Sequence, residues 1–143
     1  RIGVRGTLGG GRSLTCPVYV EDLVDAFCLA LRCEESAGEA INLTGGERVT
    51  WAEFLGDAAE LLGLRPWISL PIPIARAAAS LLAVLYGSLR IVAEPPLTRY
   101  RVEQLAHDFH FSIAKARAIL GYKPRVSWRE GLRRAVEAYR AQH

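Results

Sequence analysis

Three glycines near the start of the chain are spaced in a way that could serve phosphate binding. Gly3, Gly6 and Gly9 spell G-x-x-G-x-x-G. A glycine loop that holds a nucleotide phosphate follows a buried strand and opens a helix, because free backbone N–H groups must point at the anion. Only two residues precede Gly3, and further glycines and a proline follow Gly9. We therefore interpret the segment as a glycine-rich turn that leads into a strand at 14–20.

Two further patterns could do chemistry, but each lacks the groups that would complete it. Ser112 and Lys115 have the spacing of a serine nucleophile and its lysine, without the partner motifs that such sites use. His107, Asp108 and His110 lie close together, yet a structural zinc site needs more ligands, and these two histidines point to opposite faces of an extended segment. We expect no catalytic residue and no metal site in the chain.

The sequence also lacks the residue patterns that usually serve hydride transfer and nucleic-acid binding. No tyrosine is followed by a lysine four positions later, so the tyrosine–lysine pair of many hydride-transfer enzymes is missing. The C-terminal segment carries several arginines, but Glu130 and Glu137 interrupt them and no aromatic platform accompanies them. This pattern favours a solvated helix face over a nucleic-acid surface.

Composition indicates one folded domain. The 143 residues are 50% hydrophobic and 23% charged, with a net charge of +3, which suits a globular chain with a core of its own. The three cysteines show no C-x-x-C spacing, so we expect reduced thiols and a cytoplasmic location. The sequence contains no methionine, and we expect it to be a piece of a longer protein.

The elements that would position these residues are short strands and several helices. The strand at 14–20 is predicted to run into a helix, and a second strand is predicted at 41–44. A capping box formed by Thr50 and Glu53 begins another helix. The predicted inner face of the first helix consists of Leu23, Phe27, Ala30 and Leu31.

The segment 67–96 is the most apolar part of the chain. It predicts a short strand at 67–70 and a long helix from Pro73 to before Pro95. Thirteen uncharged residues separate Arg76 from Arg90, which is roughly 20 Å of helix, whereas a bilayer core is about 30 Å thick. We expect no membrane span. Three positions for the helix remain: packed on the domain, lining an apolar pocket, or lying on a membrane surface.

Three more helices are predicted near the C-terminus. Thr98, Ser112 and Ser127 each have a cap position, and Glu130 would complete a second capping box with Ser127. Gly121 is predicted to end the second of these helices.

Three blocks occur in an order typical of a known family. They are V-Y-V-E-D-L at 18–23, G-E-A-I-N-L at 38–43, and K-A-x-x-x-L-G-Y-x-P at 115–124 followed by E-G-L at 130–132. Together they resemble the C-terminal half of the extended short-chain dehydrogenase/reductases. These are the NAD-dependent epimerase/dehydratases, including the 3β-hydroxysteroid dehydrogenase and dihydroflavonol reductase branch. The resemblance covers about residues 14–139.

The resemblance implies a mostly helical α/β fold with a few short strands, the C-terminal fragment of a Rossmann-type protein. Residues 1–143 would form a single substrate-binding region. The Rossmann domain, with its glycine loop and Tyr-x-x-x-Lys pair, would be missing from this chain. NAD or NADP would bind to that missing half, and we expect no cofactor on this chain alone.

The resemblance also implies a substrate position near the first strand and beneath the apolar helix. Tyr19 and Asp22 lie near the C-terminal end of the predicted strand, where ligands of α/β folds bind, although Asp22 equally suits the first turn of a helix. A diphosphate would favour arginines, and the segment 95–101 offers Arg99 and Arg101. The candidate substrate-binding residues are Tyr19, Asp22, Leu70, Pro71, Arg99 and Tyr100.

The function implied is that of an oxidoreductase acting on a secondary alcohol or ketone of an apolar molecule such as a sterol, isoprenoid or flavonoid. The alternatives are a nucleotide-sugar epimerase or dehydratase, a non-catalytic binding module, and a basic module that binds nucleic acid or a membrane surface. We expect the partner to be an apolar small molecule and not a nucleic acid. Self-association through an exposed apolar patch is also expected. Peripheral contact with a membrane is left open by the sequence.

Overall fold

A computed structural model of the chain describes residues 6–64 and 68–142. Within this part, short strands alternate with helices, and helices predominate. The strands are β1 Gly6–Leu8, β2 Leu14–Thr15, β3 Val49–Thr50 and β4 Ile68–Leu70. The helices are α1 Val20–Leu31, α2 Trp51–Leu61, α3 Ile72–Ser88, α4 Arg99–Ala106, α5 Ala114–Leu120 and α6 Trp128–Gln142.

Two small sheets join distant parts of the chain. β1 pairs in parallel with β4, and Leu8 lies opposite Leu70. β2 pairs antiparallel with β3, and Leu14 lies opposite Thr50. The glycine turn Gly9–Gly11 connects β1 to β2, so this turn lies between the two sheets.

The glycine turn is confirmed as a turn and is closely packed. Its three glycines have φ values of +56°, +78° and +66°, a backbone region that other residues rarely adopt. A Cβ on Gly9 would lie 2.8 Å from Cδ1 of Ile72, and a Cβ on Gly11 would lie 2.8 Å from the backbone nitrogen of Ala52. Gly3, the first glycine of the sequence pattern, lies outside the described residues.

Two apolar clusters form the core. The α1–α5 cluster contains Ala26, Ile113, Ala116, Leu120 and Tyr122. The α3–α4 cluster contains Leu8, Ala75, Ala79 and Val102. The first cluster includes a large aromatic side chain, whereas the second is built around two alanines on α3.

Several predicted helix ends are confirmed. The Thr50 hydroxyl accepts a hydrogen bond from the Glu53 N–H at 3.2 Å, and the Glu53 carboxylate accepts one from the Thr50 N–H at 2.8 Å, which completes the capping box. The Thr98 hydroxyl accepts a hydrogen bond from the Arg101 N–H at 3.3 Å. Gly121 follows α5 with a φ of +65° and ends that helix.

The strand predicted at 14–20 is wrong over most of its length. Only β2 pairs in a ladder, and α1 already begins at Val20. Pro17 has no N–H to donate to a ladder, and the carboxylates of Glu21 and Asp22 favour the first turn of a helix. The alternation of apolar residues before Val20 was therefore a misleading signal.

The strand predicted at 41–44 is also wrong, because this segment has no ladder partner among the residues that the structure describes. Ile41 and Leu43 pack against the α1–α5 cluster. The Thr44 carbonyl accepts a hydrogen bond from the Tyr122 hydroxyl at 3.1 Å. The segment is thus fixed by side-chain contacts.

The predicted inner face of α1 is partly wrong. Leu23 and Ala30 are half-buried as expected, but Phe27 is exposed and Leu31 is 88% exposed. The buried face is centred on Asp22 and Ala26, because the Asp22 carboxylate and α5 both lie on that side. The α1 outer stripe, the exposed side of this helix, consists of Val20, Val24, Phe27 and Leu31.

Two predicted caps differ in detail. Ile113 occupies the cap position of α5, and the Ser112 hydroxyl accepts a hydrogen bond from the Ala114 N–H at 3.2 Å. The Ser127 hydroxyl accepts one from the Glu130 N–H at 3.3 Å. The Glu130 carboxylate accepts hydrogen bonds from arginines of α6, so the second capping box is half formed.

The predicted fold class is confirmed, since the chain is a mostly helical α/β protein with a few short strands. The apolar segment forms β4 and then α3, which is 17 residues long and ends at Ser88. The part of this prediction that concerns Trp67 lies outside the described residues. No helix in 6–64 or 68–142 has the length and hydropathy needed to cross a membrane.

Candidate functional site

Asp22 is buried within the protein and binds the backbone. Its side chain is 2% exposed, and its carboxylate accepts hydrogen bonds from the N–H groups of Arg125 and Val126, both at 3.0 Å. The Arg125 guanidinium lies 3.9 Å away and also pairs with Asp25. These contacts fasten α1 to the segment before α6, so in this structure the Asp22 carboxylate is engaged by the protein itself.

Tyr19 borders an apolar cavity of about 280 Å³ between α1, α2 and α6. Its ring lies 5.6 Å from the Arg134 guanidinium. A Cβ added to Gly131 would come within 2.9 Å of this ring, so the glycine allows α6 to approach closely. Phe54 and Trp128 line the same cavity, with ring centroids 6.0 Å apart.

The other four candidate residues lie on the opposite part of the fold. Leu70 ends β4 and packs against the α3–α4 cluster. Pro71 caps α3, and its carbonyl accepts a hydrogen bond from the Ala75 N–H at 3.0 Å. Arg99 begins α4 and is exposed, as is Tyr100, whose hydroxyl accepts a hydrogen bond from Gln104 at 2.8 Å.

A second cavity of about 410 Å³ lies beside the glycine turn and the start of α3. Leu8 and Ile72 supply apolar walls, while Arg12, His107 and Asp108 supply polar ones. The His107 ring lies 3.1 Å from the Glu103 carboxylate, and Glu103 in turn binds Arg76 of α3. The polar part of this wall thus carries both a cation, Arg12, and a carboxylate, Asp108.

Two side chains with perturbed pKa values, Tyr122 and Glu130, line neither of these two cavities. Burial, and then the charge of Asp22, raise the pKa of Tyr122. Hydrogen bonds from Arg133 and Arg134 lower the pKa of the exposed Glu130 to about 2. Both shifts follow from contacts that hold helices in place, and neither marks a proton-transfer group.

Known proteins with similar sequences are reductases and dehydrogenases. No family model matches the chain. The 3β-hydroxysteroid-dehydrogenase/decarboxylase isoform 1 of Arabidopsis thaliana is 32% identical, and the match covers 92% of this chain and 33% of that protein. The 2-alkyl-3-oxoalkanoate reductase of Stenotrophomonas maltophilia is 30% identical, over 89% of this chain and 40% of that protein. The chain thus spans only about a third of these relatives.

The fold leads to the same group of proteins. An epimerase of Methanothermobacter thermautotrophicus, Mth375, superposes with a TM-score of 0.69 at 25% identity, over 98% of this chain and 34% of that one. The chain belongs to the extended short-chain dehydrogenase/reductases. It matches the C-terminal part of that family, as the three sequence blocks indicated.

Two solved structures with this fold, a UDP-glucuronic acid 4-epimerase of Bacillus cereus and RMD of Pseudomonas aeruginosa, hold NAD and NADPH respectively. The glycine turn of the present chain does not fit the phosphates of such a cofactor. It leads from β1 into β2 and not into a helix. The space beside Gly9 and Gly11 is filled by Ile72 and Ala52. The close packing of these glycines is therefore the reason for their presence at this turn.

The six candidate residues of this short-chain dehydrogenase/reductase chain fall into two groups. Tyr19 caps α1 and Asp22 lies in its first turn, whereas the other four lie around β4, α3 and α4. No hydrogen bond or ion pair among the described residues links the two groups. Sequence reasoning missed the cavity wall formed by Phe54 and Trp128. It also missed Arg12, whose only signal was its position directly after the glycine turn.

Proposed function

We propose that this chain is the substrate-binding portion of an NAD(P)-dependent oxidoreductase that acts on a secondary alcohol or ketone of an apolar small molecule. The proposal rests on a feature that the names of the two relatives have in common. One is named for a hydroxysteroid and the other for an oxoalkanoate, so each name joins a hydroxyl or carbonyl to an apolar body. The cofactor would be held by residues other than those described here.

The junction of β4 with α3 supports this proposal. Leu70 and Pro71 present apolar surface there, and the exposed ring of Tyr100 follows on α4. α3 packs against α4 through Ala75, Ala79 and Val102, so these side chains are carried on neighbouring elements. We propose this junction as the substrate-facing surface, with Tyr19 and its cavity as a separate apolar site. All three cysteines are free, which suits the proposed cytoplasmic location.

A nucleotide sugar is the second candidate substrate, and one observation favours it. The Arg99 guanidinium is exposed at the start of α4 and has no ion-pair partner among the described residues. A free arginine suits a diphosphate, because its planar fork can bind two oxygens at once. The structural neighbour from Methanothermobacter is itself called an epimerase.

The test uses the native polypeptide that contains this sequence. A 3-keto sterol and a long-chain 2-alkyl-3-oxoalkanoate are assayed with NADH and NADPH by oxidation of the cofactor. A UDP-sugar is assayed with NAD⁺ by chromatography of the sugar nucleotide, because epimerisation causes no net change in the cofactor. We expect oxidation of the reduced cofactor with the apolar ketones and no turnover of the UDP-sugar. Turnover of the UDP-sugar alone would establish the second candidate. Binding of an apolar ketone without any turnover would reject the oxidoreductase in favour of a binding module.

Two variants sharpen this test, and Arg48→Gln, at another exposed arginine, is the matched control. With an apolar substrate, Tyr100→Ala should raise KM several-fold and Arg99→Gln should leave it unchanged. With a nucleotide sugar, Arg99→Gln should raise KM by roughly tenfold or more, because a charge-assisted hydrogen bond to the diphosphate is lost. Equal effects of Arg99→Gln and Arg48→Gln would remove Arg99 from the site.

A further inference from the structure

α3 is apolar on both sides, and four of its larger side chains are exposed. Ala75 and Ala79 form the buried side, with exposures of 0% and 1%. Helical spacing places a second row of apolar residues about half a turn away from them. This α3 outer stripe consists of the exposed residues Ile74, Leu81, Val84 and Leu85. A helix that only closed a core would carry its large side chains on the buried side.

The apolar surface continues beyond the C-terminal end of α3. Leu89 and Ile91 are exposed, and Val92 is fully exposed. The Ile91 N–H donates a hydrogen bond to the Tyr86 carbonyl at 2.9 Å, so this turn is fastened to the helix. The outer stripe and the turn 89–92 therefore form one elongated apolar surface.

The segment that forms this surface carries cations and no carboxylate. Residues 72–92 include two arginines, Arg76 and Arg90, and no aspartate or glutamate. Arg76 forms two hydrogen bonds with Glu103, at 2.8 and 2.7 Å. Arg90 is exposed within the apolar turn, and its guanidinium has no partner among the described side chains. A cation thus lies beside exposed apolar residues with no acidic group of the segment to neutralise it.

We propose that the α3 outer stripe and the turn 89–92 dock onto the surface of a membrane that contains anionic phospholipid. A helix lying in the interface buries an apolar face and places cations at its edge. The stem of Arg90 can lie along the apolar surface while its guanidinium reaches a lipid phosphate. A length of 17 residues and the absence of any spanning helix in the described chain fit a helix that lies flat.

The charges favour a lipid surface over a second copy of the chain. A two-fold interface would bring the same surface of both copies together. Arg90 would then face a segment without a carboxylate, and a buried unpaired charge is costly. An anionic membrane supplies the missing negative charge. This inference goes beyond the proposed function and does not depend on which substrate is turned over.

The experiment measures co-sedimentation of the native polypeptide with phosphatidylcholine vesicles that contain or lack phosphatidylserine. We expect stronger binding when phosphatidylserine is present. Arg90→Gln should weaken that binding about fivefold, the effect of one cation near an anionic surface. Val84→Asp should weaken it by roughly tenfold, because a valine side chain that the membrane would bury is lost. The matched control is Val24→Asp on the α1 outer stripe, where the valine is 53% exposed against 66% for Val84.

Three results would overturn the proposal. They are no binding to either vesicle, equal loss in Val84→Asp and Val24→Asp, or a concentration-dependent mass in sedimentation velocity that Val84→Asp abolishes. The last result would assign the surface to a second copy. Circular dichroism checks that each variant is folded, and Leu81→Gln replaces Val84→Asp if that variant is not. Vesicle binding is measured without substrate, and turnover is measured in detergent without vesicles. Failure of this proposal can therefore be told apart from failure of the proposed function.

Discussion

The α1–α5 region and the α3–α4 region are held together by different interactions. In the first, buried polar groups join segments far apart in sequence, as Asp22 does with Arg125 and Tyr122 does with Thr44. In the second, β1, α3 and α4 meet over small apolar side chains, and the ion pair between Arg76 and Glu103 is partly exposed. The first region is therefore specified by hydrogen bonds and the second by close packing.

The outward surfaces of the two regions also differ in charge. Both α1 and α3 expose a stripe of large apolar residues. Exposed Glu21 and Asp25 lie on α1, whereas 61–93 around α3 contains arginines and no acidic residue. Exposed apolar area alone would not distinguish the two stripes, and the charges indicate that they suit different partners. This difference is the reason that α1 provides the control for the membrane experiment.

The largest effect should come from removing the buried carboxylate. Asp22→Ala leaves the N–H groups of Arg125 and Val126 without an acceptor, and we expect the free energy of unfolding to fall by about 3 kcal/mol. Urea unfolding followed by circular dichroism measures this change. Asp25→Ala is the control, because Asp25 is an exposed partner of the same arginine, and it should cost less than about 1 kcal/mol. Similar losses in both variants would mean that the buried hydrogen bonds of Asp22 do not specify the α1–α5 region.

The second prediction concerns the small side chains of the α3–α4 region. Ala79→Leu adds volume at a position with 1% exposure between α3 and its neighbours, and we expect a loss of about 2 kcal/mol in the free energy of unfolding. Ala77→Leu makes the same change on the exposed side of α3 and should stay within about 0.5 kcal/mol of the unchanged protein. If both variants unfold at the same urea concentration, the region is not closely packed.

Helix ends were the most predictable features, because each rests on a local contact. Thr50 with Glu53, Thr98 and Gly121 all act as the sequence indicated. The strand prediction at 14–20 failed because it rested on a local pattern alone. Alternating apolar residues indicated a strand there, but the ladder partner that a strand needs is set by the rest of the chain.

The candidate site was less predictable than the fold. Asp22 could be placed on the first turn of a helix from its neighbours in sequence. The hydrogen bonds that its carboxylate accepts from the N–H groups of Arg125 and Val126 could not be predicted, because these residues lie over 100 positions away. In the same way, Gly131 gave no sign that it lies against the ring of Tyr19, since only the packing of α6 on α1 brings them together.

The smallest effect should come from a single buried hydroxyl in the α1–α5 region. Tyr122→Phe removes the hydrogen bond to the Thr44 carbonyl and should cost about 1 kcal/mol at neutral pH. Burial raises the pKa of Tyr122, so its hydroxyl stays protonated in the folded chain above pH 10.0, its ordinary pKa, where the unfolded chain ionises. This contribution is complete below pH 10.0 and is lost as the pH rises toward the folded value. Urea unfolding on both sides of pH 10.0 should therefore show a fall in stability that is smaller in Tyr122→Phe, and an equal fall in both proteins would mean that this hydroxyl is open to solvent.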